Sequence, residues 1–287
     1  MIKSLLITLV VFALGMSVAL AGSQGGETWN GMPLMVLCGL FAYGINWLVF
    51  IPAYAQQTEH YFDLTGSITY ISITVFALAM AGLGEPRTVI LGSMVLVWAI
   101  RLGSFLFVRV KSDGKDSRFD DLKPNFFRFL NVWTIQGLWV LFTMSTALAA
   151  MTSGATAPLG IYAAVGSAVW IMGFGFEAIA DAQKRVWRRD PANKGGFISS
   201  GLWSWSQHPN YFGEITLWIG VAIIAFPVLS GWQYICLISP IFVYLLLTKV
   251  SGIPLLDQQA KVRFEGKQAY ADYIAKTAVL LPRPPKG

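Results

Sequence analysis

The chain is short of charge. Asp, Glu, Lys and Arg make up 13% of its 287 residues, where soluble domains carry roughly a quarter. It holds two histidines and two cysteines, with no C-x-x-C pair and no Cys/His cluster, so no metal site is expected. Cys38 and Cys236 lie in apolar runs and read as free, buried, small apolar residues. No G-x-G-x-x-G follows a predicted strand, so a Rossmann dinucleotide fold is not indicated. No internal repeat is visible, which weighs against the repeated halves of many transporters. The apolar runs are too long, and too poor in alternating polar positions, for an outer-membrane barrel.

Apolar length is what the chain has. Residues AVILMFWYC make up 55% of it, and the mean hydropathy is +0.58. A span needs about 20 mainly apolar residues. Candidate spans fall at 3–21, 33–54, 66–83, 88–108, 130–150, 158–180, 213–229 and 232–250. The expected fold is all-α, a polytopic membrane helix bundle of seven to eight transmembrane helices with cytoplasmic cofactor-binding loops. Of 21 Lys and Arg, six lie in 109–128, five in 181–194 and seven in 249–287, and Arg87 alone falls in an opposite-side connection. That bias places those three regions in the cytoplasm. The net charge of +6 reads as topology plus a possible anionic ligand, not as nucleic-acid binding. The first 22 residues read as a retained helix, with a signal segment ending at Ala19–Leu20–Ala21 as the rival. Residues 23–287 read as one domain with cofactor loops at 109–128 and 181–212 and a cytoplasmic tail at 249–287. In that tail, Phe264, Tyr270 and Tyr273 are expected to face the membrane from an amphipathic helix.

The residues able to carry chemistry cluster on the inner side. Arg101 sits within a span and needs a partner or a polar cavity. Glu177, Asp181, Arg185 and Arg188 follow one another at helical i+3 and i+4 steps, a stripe that suits ribose hydroxyls and phosphates. It reads equally as a salt-bridged helix end. The segment Asn193–Glu214 (NKGGFISSGLWSWSQHPNYFGE) is glycine-rich and polar between long apolar runs. His208 precedes Pro209, so it is biased away from helix. Pro209 suits the first turn of a helix carrying Asn210, Tyr211 and Glu214, whose free N–H groups favour an anion. Asn210 and Glu214, four apart, could clamp a carboxamide. Glu59, with Gln56 one turn before it, is the candidate acid: a buried carboxyl can stay protonated and donate to a carbonyl. Tyr61 and Tyr70 are phenols that could share that role.

The run GLW…S…HPNYFGE followed by W-I-G resembles the C-terminal domain of steroid 5α-reductase-like membrane reductases. The likeness covers roughly 95–287 and is specific from Asp181 to Gly220. It implies an NADPH-dependent reduction of an enone such as a 3-oxo-Δ4-steroid. It further implies cofactor contacts at Arg101, Asp181, Arg185, Arg188, Asn210 and Glu214, to which Asn193, His208 and Tyr211 of the same stretch are added. The family's glutamine–glutamate pair is similar to Gln56 and Glu59, at a different spacing. The tyrosine that some members carry before the helix arginine is Trp98 here.

The expected partners are a steroid or steroid-like lipophilic substrate entering from the bilayer and membrane lipids, with no nucleic acid and with the chain a monomer. The expected location is a bacterial inner membrane. A looser HP-x-Y-x-G pattern is shared with isoprenylcysteine carboxyl methyltransferases, so S-adenosylmethionine-dependent methyl transfer is the alternative. A non-enzymatic lipid binder or transporter is a third reading.

Overall fold

The computed structural model describes residues 2–113 and 119–284; residues 114–118 of the polar loop 109–128, and the last three of the tail, lie outside them. The helices are α1 (Ile2–Gly22), α2 (Leu34–Ala55), α3 (Phe62–Ala81), α4 (Pro86–Asp113), α5 (Phe126–Met151), α6 (Gly160–Arg189), α7 (Pro209–Ala225), α8 (Ile238–Leu245), α9 (Ile253–Arg263) and α10 (Gln268–Lys276). Among the described residues, eight segments are long and apolar enough to cross a membrane, and each overlaps one of the expected runs. The chain is all-α and fits an integral membrane protein. Strands β1 (Thr28–Trp29) and β2 (Met32–Pro33) form one small antiparallel hairpin. Asn30 and Gly31 turn it with φ of 49° and 81°, the positive values that a tight hairpin turn needs.

The final span is not one helix. It opens as a 3₁₀ turn over Gly231–Leu237, continues as α8, and ends in a π turn over Leu246–Val250. Pro254 then sits in the first turn of α9, where its missing N–H costs nothing.

The chain divides into two compact units. The first is Met1–Ala163 with Ile224–Ser239, and α5 is its post. Its apolar window is 78% buried, against 28% for α1. Threonine, serine and alanine dominate its second half, so neighbours approach closely and hydroxyls reach backbone carbonyls. Ser145 and Thr146 donate to the carbonyl of Cys236, and Ser239 donates to that of Thr143. α1 packs as a bundle helix: Thr8 hydrogen-bonds Asn131 on α5, and the Tyr43 hydroxyl donates to the Val11 carbonyl at 2.9 Å.

The second unit is Ala164–Ile223 with Pro240–Gly287. Its frame is the close pairing of α6 and α7. Gly173, Gly213 and Gly220 sit where an added Cβ would lie under 3.0 Å from backbone: Leu217 and Gly213 for the first, Glu177 and Gly173 for the second, Trp170 and Gly166 for the third. Gly213, inside the HPNYFGE motif, is therefore a helix-packing residue.

Gly213→Leu should separate α6 from α7 and lower thermal stability by about 3 kcal/mol or prevent folding, whereas Gly175→Ala, which meets nothing within 4 Å, should be neutral or slightly stabilising. Melting of the two variants in detergent checks this; equal midpoints would contradict it.

Candidate functional site

A pocket of about 500 Å³ lies within the second unit. The end of α6 supplies Lys184, Trp187 and Arg188. Past it, Asp190 caps a 3₁₀ turn by accepting from the Ala192 N–H, and the loop contributes Asn193–Ile198, Trp203, Gln207 and His208. The opposite wall is tail: Asp257 and Arg263 of α9, then Phe264, Tyr270 and Tyr273.

Backbone contacts join the two walls. Lys267 Nζ donates to the Gly195 carbonyl at 3.0 Å, and the Tyr273 hydroxyl to that of Trp203 at 2.7 Å. The Gln207 N–H donates to Ala278, its side chain to Ile274 and Thr277, the Ser206 hydroxyl to Leu280, and the Arg283 N–H to Trp205. Phe197 inserts among Phe264, Tyr270 and Tyr273, with ring centroids at 5.5, 5.1 and 5.2 Å. The tail aromatics thus pack on the loop, not outward on the membrane as their amphipathic spacing suggested. Burial raises the Tyr273 phenol, so it remains a donor at neutral pH.

Four cations border the pocket, Lys184, Arg188, Lys194 and Arg263, against two acids, Asp190 and Asp257. Lys184 lies 4.4 Å over the Trp203 ring. His208 is 7% exposed and stacks on Tyr211, and its Nε2 has no hydrogen-bond partner. Burial, and then the Lys184 ammonium, hold His208 at about 4, so it is neutral at pH 7. Asp257 Oδ1, 3.9 Å from Nε2, would favour the charged ring, but that carboxylate is half exposed and burial outweighs it.

The pocket gathers Arg188, Asn193 and His208 of the expected contacts. Asp181 lies beside it, accepting from Asn210 at 3.2 Å. Arg185 is exposed and outside the lining; Tyr211 and Glu214, both half-buried, are outside it too. On a helix, Lys184 and Arg188 point within about 20° of Glu177, while Arg185 points about 80° away. Lys184 therefore takes the place expected for Arg185. Asn210 is joined to Asp181, and Glu214 is half-buried on α7.

Gln56, Glu59, Tyr61, Tyr70 and Arg101 belong to the first unit. Glu59 is 6% exposed and is bound by Lys123, whose Nζ lies 2.5 Å from Glu59 Oε2 and 3.1 Å from Asp120 Oδ1. Burial alone would pull the Lys123 ammonium down, but the bonds and charges of Glu59 and Asp120 raise it above an ordinary lysine. Glu59 is thus ion-paired with a lysine and is not the isolated acid expected from its sequence position. Tyr61 is exposed and donates to Gln56 Oε1 at 3.2 Å. Tyr70 is buried edge-on against Trp98, with centroids 5.0 Å apart. Arg101 is half-buried on α4.

Sequence reasoning missed Lys123, Lys184 and the whole tail wall. Only the i−4 step from Arg188 to Lys184 was readable; nothing local ties Lys123 to a residue 64 positions earlier.

A family model described as a protein of unknown function (DUF1295) matches residues 49–277. A probable O-methyltransferase of Ustilaginoidea virens is 27% identical over 120 residues, 42% of this chain. The chain spans about 40% of that relative's length. No solved structure matches.

Because His208 is held at about 4 against an ordinary 6.5, the folded chain binds fewer protons than the unfolded chain between those values. Stability should be flat above pH 6.5 and fall as pH drops towards 4, by roughly 3 kcal/mol. His208→Asn should remove that slope in melting midpoints measured against pH. Separately, Glu59→Gln leaves a buried ammonium short of its partner and should cost about 3 kcal/mol, with part of the loss recovered in Glu59→Gln/Lys123→Met.

Proposed function

The chain belongs to the DUF1295 family, and we propose that it is a membrane oxidoreductase: it takes NADPH into the pocket of the second unit and reduces the double bond of a lipophilic, steroid-like enone. The family is associated with steroid 5α-reductase-like membrane proteins, and the HPNYFGE motif resembles theirs. Family and relative both favour an enzyme.

The observation that carries the reading is the set of four cations, Lys184, Arg188, Lys194 and Arg263, around one pocket at the HPNY loop. Guanidinium and ammonium groups suit phosphates. Trp187, Phe197 and Phe264 offer rings for a base, and the unpartnered Nε2 of His208 offers a polar contact. These residues fit a phosphorylated dinucleotide.

When bound, NADPH would supply a hydride to the β-carbon of the enone. The electron pair of the double bond then shifts towards the ketone oxygen, which needs a proton held against it, and the α-carbon finally takes one proton. We take the pocket to face the cytoplasm, the side the positive-inside bias favours, with the substrate drawn from the bilayer by a monomer.

The relative's name favours a second reading, O-methyl transfer from S-adenosylmethionine. That donor carries a sulfonium and no phosphate, so four bordering cations suit it poorly.

Titrating the purified protein with NADPH, NADH and S-adenosylmethionine separates the two. NADPH should bind most tightly, and Arg188→Gln should weaken it about tenfold, near 1.4 kcal/mol. Binding of S-adenosylmethionine without NADPH would replace reduction by methyl transfer.

A further inference from the structure

Arg87, in the first turn of α4, is 1% exposed. Its Nη2 donates to the carbonyls of Ala157 at 3.2 Å and Pro158 at 2.8 Å. Its Nε and Nη1 have no hydrogen-bond partner. Among the described residues no carboxylate pairs with it. Glu85, two positions earlier, makes no ion pair with it, nor does Glu27, whose carboxylate lies over Gly154.

This arrangement needs a counter-charge. A buried lysine or histidine can shed its proton, but arginine stays charged in proteins. Burying an unpaired charge is among the most costly arrangements a fold can contain. Two carbonyl dipoles satisfy one nitrogen without cancelling the charge. Position sharpens the demand, because α4 is a long helix whose first-turn N–H groups add positive potential at the same end. Two unpartnered donors on separate nitrogens suit an anion with several acceptor oxygens. The site stands at the end of a membrane-spanning segment, on the side whose connections hold no other Lys or Arg and only Glu27 and Glu85 as acids.

We propose that Arg87 and the N-terminus of α4 bind a phosphate group, either free phosphate or the phosphodiester of a membrane lipid. The site lies in the first unit and is independent of the proposed NADPH pocket.

The test is the melting midpoint of the full chain in dodecyl maltoside. One arm adds inorganic phosphate against chloride at matched ionic strength. The other adds phosphatidylglycerol against diacylglycerol. The midpoint of the wild-type chain should climb by several degrees across a hundredfold range of one phosphate-bearing probe, and the climb should vanish in Arg87→Met. A rise with inorganic phosphate identifies the free anion as sufficient; a rise only with phosphatidylglycerol identifies the lipid. No rise with either probe, or an equal rise in Arg87→Met, overturns the proposal. If Arg87→Met does not fold, Arg87→Lys is read instead. It keeps the charge but loses the Nε donor, so half-maximal stabilisation should need at least tenfold more probe. Unchanged affinity in that variant also overturns the proposal.

Discussion

The second unit depends on the fastening of the 195–208 loop by the tail. A glycine-rich loop at the end of a helix has no reason to hold one shape. Here its backbone carbonyls at Gly195, Trp203 and Trp205 accept from Lys267, Tyr273 and Arg283, while Ser206 and Gln207 donate to tail carbonyls. Each such bond contributes only about 1 kcal/mol. Together with Phe197 among three tail aromatics, they turn two weakly structured segments into facing walls. The cations on those walls, Lys194 on the loop and Arg263 on α9, then border one space with Lys184 and Arg188.

The rest of that unit serves the same end. The glycine contacts of α6 and α7 set where α6 delivers Lys184 and Arg188, and where α7 begins after His208. The motif HPNYFGE is thus divided by duty. His208 lines the pocket, Asn210 ties α7 to Asp181, and Gly213 lets α7 touch the backbone of α6. In the first unit a buried ion pair has the corresponding role. Lys123 joins the loop before α5 to Glu59 beyond the end of α2, beside the aromatic cluster of Phe50, Phe119, Phe129 and Trp133.

The sequence was most legible where one physical constraint dominates. Span length located the eight apolar spans, though α6 runs on to Arg189 and the last span is broken, and Pro209 marked the start of α7. It was least legible where partners are distant. The spacing of Phe264, Tyr270 and Tyr273 matches a membrane-facing helix as well as a wall packed on Phe197, because periodicity records apolar faces and not what covers them. Glu59 looked like a lone acid because Lys123 sits in a loop rich in both charges. Arg185 was chosen and Lys184 passed over, although both are one turn from Arg188 and only the helix direction separates them.

Hydrogen exchange of the purified chain, with and without NADPH, tests the central claim most directly. The account predicts that NADPH slows exchange in residues 184–208 and 256–273 together, because the ligand would bridge the two walls. Slowing confined to other segments, or the same pattern with S-adenosylmethionine and none with NADPH, would contradict it.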